Sequence, residues 1–118
     1  MHILKLHPLM AISLLKRQFE NVFHCSVVVY CEKRCAKDSD ILQEAGFCDA
    51  DFVEFPVDET QTIREFERFM EDQFNLSLEL CSPSDKPIAN KYLKLYQLRH
   101  LFSSIPDPAL DKGNNMLY

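Results

Sequence analysis

Hydrophobic and polar positions along the chain change period several times, and each change marks an element. Ile3-Leu4-Lys5-Leu6 alternates as a short strand, and Pro8 then ends it while suiting the first turn of a helix. Ile12, Leu15, Phe19 and Val22/Phe23 recur at steps of three and four, which predicts a helix with one apolar face. Residues 25–31 are continuous and rich in valine, as in a strand covered on both faces. Residues 32–37 read as a charged loop. Asp38 or Ser39 would then cap a short helix ending at Ala45, where Gly46 suits the left-handed residue after a helix end.

The same order then restarts. Phe52, Val53, Phe55 and Val57 predict a second strand, and Thr62 with Glu65 has capping-box spacing. Ile63, Phe66, Met70 and Phe74 form a second apolar stripe with Phe69 beside it, and Leu76, Leu78 and Leu80 alternate as a half-buried strand. A third helix is expected over about 91–102. The stretch from Ser103 holds Pro106, Pro108 and Gly113 and reads as a flexible tail.

A shift of 51 residues superimposes the halves. Ile12/Ile63, Arg17/Arg68, Glu20/Glu71, Phe23/Phe74 and Ser26/Ser77 are identical, and the core phase agrees across strand, helix and strand. With two extra residues in the later loop, Ala36 meets Ala89 and Leu42 meets Leu95. The expected architecture is α+β: two tandem βαβ units form a four-stranded, mostly antiparallel sheet with both long helices on one face, ferredoxin-like, plus a C-terminal helix. A differently ordered four-stranded sheet is the competitor. The expected organisation is one domain over 1–102, with repeats at about 1–46 and 51–102, then a tail over 103–118.

The runs 15–23 (LKRQFENVF), 27–30 (VVVY) and 36–42 (AKDSDIL) carry a resemblance. They look like a family of small uncharacterised bacterial proteins that repeat a helix ending in F-x-x-x-F, a strand, and an acidic D-x-D-x-x-L loop. The chain departs from that pattern at Asn90-Lys91-Tyr92 and lacks the glycine usual after the first Val-Tyr strand. The resemblance covers about residues 8–98 and implies the duplicated fold, with no activity attached.

Charge narrows the partners. Residues 1–43 carry net +2, 44–85 carry −10 and 86–118 carry +3, within a chain of −5. An acidic middle between basic ends favours internal pairing or head-to-tail association and disfavours nucleic acid, which needs a dominant basic face. No stretch has the length and apolarity of a membrane helix, and the start of the chain does not read as a secretory leader. Five irregularly spaced cysteines do not read as a disulfide framework. A cytoplasmic location is therefore expected.

Candidate chemistry is sparse. Only Gly46 and Gly113 are present, so no glycine-rich phosphate loop exists. Cys31 and Cys35 form one C-x3-C pair without a second, and Asp38 and Asp40 make a short acidic loop; these four are the metal candidates, with core packing and helix capping as the more economical roles. Cys35, among Lys33, Arg34 and Lys37, is the candidate reactive thiol. No cofactor is implied. The third helix is apolar round most of its circumference, which makes Tyr92, Tyr96, Leu98, Leu101 and Phe102 interface candidates. The function expected is a non-enzymatic interaction or self-association module, a homodimer or a complex with another protein. The alternative is a small-ligand or metal-responsive regulator, or less readily a cysteine-dependent enzyme.

Overall fold

The computed structural model describes residues 2–32 and 34–103, Ser103 by its backbone alone. The elements are β1 (Ile3–Leu6), α1 (Ile12–Phe23), β2 (Ser26–Cys31), β3 (Arg34–Cys35), β4 (Val53–Pro56), α2 (Ile63–Phe74), β5 (Ser77–Cys81) and α3 (Leu95–Ser103). It is an α+β fold with antiparallel sheets. Both long helices bury the stripes their spacing predicts: Ile12, Leu15, Phe19, Val22 and Phe23 on α1, and Ile63, Phe66, Met70 and Phe74 on α2. These pack with Leu4, Leu6, Val27, Val29, Leu78 and Leu80 into one core. Phe19, Phe23 and Phe66 meet at its centre with ring centroids 5.6–6.0 Å apart.

The strand pairing differs from the ferredoxin-like sheet. β1 pairs with β4 in a two-stranded sheet, and β3-β2-β5 form a separate three-stranded sheet. In a ferredoxin-like sheet the strands that follow the two helices lie at opposite edges, whereas here β2 and β5 are partners. Side chains from the helices explain why no single sheet forms. Gln18 of α1 accepts from the Lys5 amide (2.9 Å) and donates to the Lys5 carbonyl (2.7 Å), closing the outer edge of β1. Glu67 of α2 accepts from the Leu80 amide (2.9 Å), and Ile88 donates to the Leu80 carbonyl, so the outer edge of β5 is also occupied. A backbone group already satisfied by a side chain cannot take a further strand.

Register and loops repeat between the halves. In each strand pair that joins the two halves, one residue faces the residue 51 positions later, Leu4 facing Phe55 and Val28 facing Glu79. A two-fold axis relating the halves would leave those pairs in place. Both helices end in a left-handed cap, His24 and Asn75, the same shift apart.

The short helix expected to end at Ala45 is absent; residues 37–46 form successive turns instead. Their carbonyls serve α1, whose N-cap Ala11 offers no side-chain bond. Asp40 O accepts from Ile12 N (2.8 Å) and Asp38 O from Ser13 N (3.1 Å). The second half does the same: Leu93 O accepts from Ile63 N (2.9 Å) and Lys91 O from Arg64 N (3.1 Å). For this reason α3 starts at Leu95 and not near 91. Gly46 lies at φ +110°, and a Cβ there would come 2.9 Å from the Asn75 carbonyl oxygen, so the loop seats on the end of α2. The expected tail lies, beyond Ser103, outside the described residues. Within them, no helix is long and apolar enough to cross a membrane.

Candidate functional site, a groove beside the first helix

The cysteine and carboxylate candidates lie near one another in the chain but are engaged separately. Cys31 is half-buried and its thiol donates to the Glu44 carbonyl (3.0 Å). Cys35 is exposed on β3. Asp38 pairs with Lys16 (2.7 Å). Asp40 accepts from the Lys37 amide (2.8 Å) and from Arg34 (3.3 Å), which together hold its carboxyl below the usual range. Among the described residues, no three His, Cys, Asp or Glu side chains are grouped so as to hold a metal ion. Cys25 is buried, and burial pushes its thiol up to about 12.

The interface candidates divide. Leu98 and Phe102 lie inside the chain's own core, while Tyr92, Tyr96 and Leu101 are exposed. A Leu98→Glu substitution would therefore report on folding and not on association. The basic residues of the C-terminal stretch meet the acidic middle within one chain. Lys91 Nζ lies between Glu67 (3.1 Å) and Glu79 (3.2 Å), and Glu79 also accepts from the Tyr30 hydroxyl (3.0 Å). That bond is the main reason the Tyr30 phenol is pushed up to about 12. Among the described residues, Glu59 Oε1 is buried without a hydrogen-bond partner, and Arg99 Nη1 lies 2.6 Å from it as an ion contact off the hydrogen-bond line. Internal pairing thus engages Glu59, Glu67 and Glu79 and leaves most of the acidic middle unneutralised.

A further open apolar surface is the outer side of the first half. Alternation along β1 turns Leu4 and Leu6 inward and leaves Ile3 and Lys5 outside. On α1, the residues off the buried stripe include Leu14, Arg17 and Asn21. Together with Met10 they line a groove of about 440 Å³, with Gln18 bonded to Lys5 along it. Ile3 and Leu14 are each 47% exposed, and neighbouring Leu9 is 65% exposed. Neither Lys5 nor Arg17 forms an ion pair among the described residues.

The second half supplies an internal control. At the shift of 51, Ile3, Leu9, Met10 and Leu14 correspond to Glu54, Thr60, Gln61 and Glu65, while Gln18 corresponds to Phe69. Four apolar residues on or beside the groove stand where the second half has polar ones, while the buried positions Ile12, Leu15, Phe19 and Phe23 stay apolar at Ile63, Phe66, Met70 and Phe74. The sequence contains this signal in the off-stripe positions, above all Leu14 against Glu65; attention to core phase alone passes over it.

Compared with protein-family models, with curated proteins and with solved structures, the chain matches none.

Proposed function

We propose that the protein is a non-enzymatic protein-interaction module made of two copies of one strand–helix–strand unit, and that the outer face of the first copy is its binding surface. One observation carries the reading: positions equivalent in register and helix phase are apolar and exposed on the first half but polar on the second. Exposed leucine and isoleucine beside a concavity are a cost to solubility that an interaction would explain. Shared ancestry of the halves is supported by the matched registers, the matched left-handed caps and the two loops that cap the helices through the same carbonyl positions. The polar groups that do gather, Tyr30, Glu67, Glu79 and Lys91, bond to one another and brace the sheet.

Quantitative affinity purification with the wild type and an Ile3→Glu/Leu14→Glu double variant tests this reading. Both positions are on the surface, so the variant should keep its circular dichroism spectrum. Proteins enriched by the wild type should be lost from the variant; identical sets would contradict the assignment.

A further inference from the structure

We propose that the groove between β1 and α1 receives an amphipathic segment of a second protein, with acidic residues flanking its apolar anchors. This rests on the interaction reading above and adds the chemistry of the partner. Ile3, Met10 and Leu14 give the groove its apolar lining, and Lys5 and Arg17 add two cations to it. Lys16, the neighbouring cation on α1, is held by Asp38 and takes no part.

Charge complementarity selects the occupant. The chain is −5 overall, with net −10 over 44–85, so an acidic segment is repelled by most of the molecule and attracted where Lys5 and Arg17 stand unpaired within the described residues. The equivalent second-half face keeps Arg68 in place of Arg17 but adds Glu54, Glu65 and Asp72, a net negative set that disfavours the same segment. A second copy fits less well. Apposing two first-half faces brings the Arg17 and Lys5 pairs together, and apposing a first half to a second half offers no apolar anchors at Glu54, Thr60, Gln61 or Glu65. A lipid surface favours a broad apolar face rich in cations, whereas this shallow site has only two, Lys5 and Arg17. An amphipathic helix or extended strip laid in a groove matches both its shape and its mixture of groups.

The test places a photo-crosslinking amino acid at Leu14 and, in a separate protein, at the equivalent Glu65, each expressed at natural level in the native host. Crosslinked segments are mapped by mass spectrometry, and the segment found is synthesised as a peptide. Binding of that peptide is then measured against the wild type, Leu14→Glu and Arg17→Glu at low and high salt. The expected product forms at Leu14 and not at Glu65, and its segment carries net negative charge with spaced apolar residues. Leu14→Glu should weaken the peptide by about tenfold or more. Arg17→Glu should weaken it and remove most of its salt dependence. A product of twice the chain mass, a lipid adduct, or a partner segment without acidic character would overturn the assigned chemistry while leaving a binding face in place. No product at Leu14 above that at Glu65 would overturn the face itself.

Discussion

Helices α1 and α2 are each twelve residues long, bury stripes in the same phase and end in left-handed caps, yet they start differently and face solvent differently. α2 opens with a full capping box, Thr62 accepting from the Glu65 amide and Glu65 from the Thr62 amide. α1 opens on Ala11, with no side-chain cap, and relies on the carbonyls of Asp38 and Asp40. On the outside, α2 shows Glu65 and Asp72 where α1 shows Leu14 and Asn21. Positions that touch the shared interior are held to one pattern, because a change there opens a cavity in a packed core. Positions facing water are free to differ, and the direction of the difference is the ground on which the binding face is proposed.

The comparison can be strained at four points, from the largest effect down. Phe66 packs against both Phe19 and Phe23 of the other half, so Phe66→Ala should destabilise the whole chain by about 3–5 kcal/mol in urea unfolding, in one transition. Two transitions would mean that the halves do not share an interior. Gln18→Leu removes both bonds to Lys5 and should cost about 1–2 kcal/mol. It also exposes the edge of β1, so light scattering should show more concentration-dependent association than for the wild type.

Thr62→Ala breaks the box and should cost about 1 kcal/mol by the same unfolding assay. Titration gives the fourth point. The Cys25 thiol is raised from 9.0 to about 12 by burial, first of all, and then by the nearby Cys81. Its contribution to stability is complete below pH 9 and fades as the pH climbs from 9 towards 12. Tyr30, raised from 10.0 to about 12, adds loss in the upper part of that window. Chemical unfolding followed at pH 8 and pH 11 should show lower stability at the higher value, and a Cys25→Ala variant should show a smaller difference.

Most helix and strand positions were legible in the sequence because apolar phase is local: the Ile12–Phe23 and Ile63–Phe74 stripes name their own inward faces, whereas β3 at Arg34–Cys35, read as a charged loop, has no such pattern. Strand order was not, since it turns on which edges are already satisfied. Gln18 and Glu67 read as ordinary solvated helix residues, and nothing in their spacing says that they reach the Lys5 and Leu80 backbones. The expected short helix failed for a similar reason. Its residues have acceptable local propensity, but their carbonyls are drawn to the amides of Ile12 and Ser13. On α3, an apolar circumference was visible, but the sequence could not say that Leu98 and Phe102 are covered by the chain itself while Tyr92 is 74% exposed. The groove was present as Leu14, and its meaning emerged only beside Glu65.

Amide and methyl NMR of the labelled protein, titrated with the partner segment recovered by crosslinking, tests most directly whether the two halves have divided support from binding. Shifts should concentrate at Ile3, Lys5, Met10, Leu14, Arg17 and Asn21 and spare Glu54, Gln61, Glu65 and Arg68. Equal shifts on both halves, or shifts confined to the second, would contradict that division.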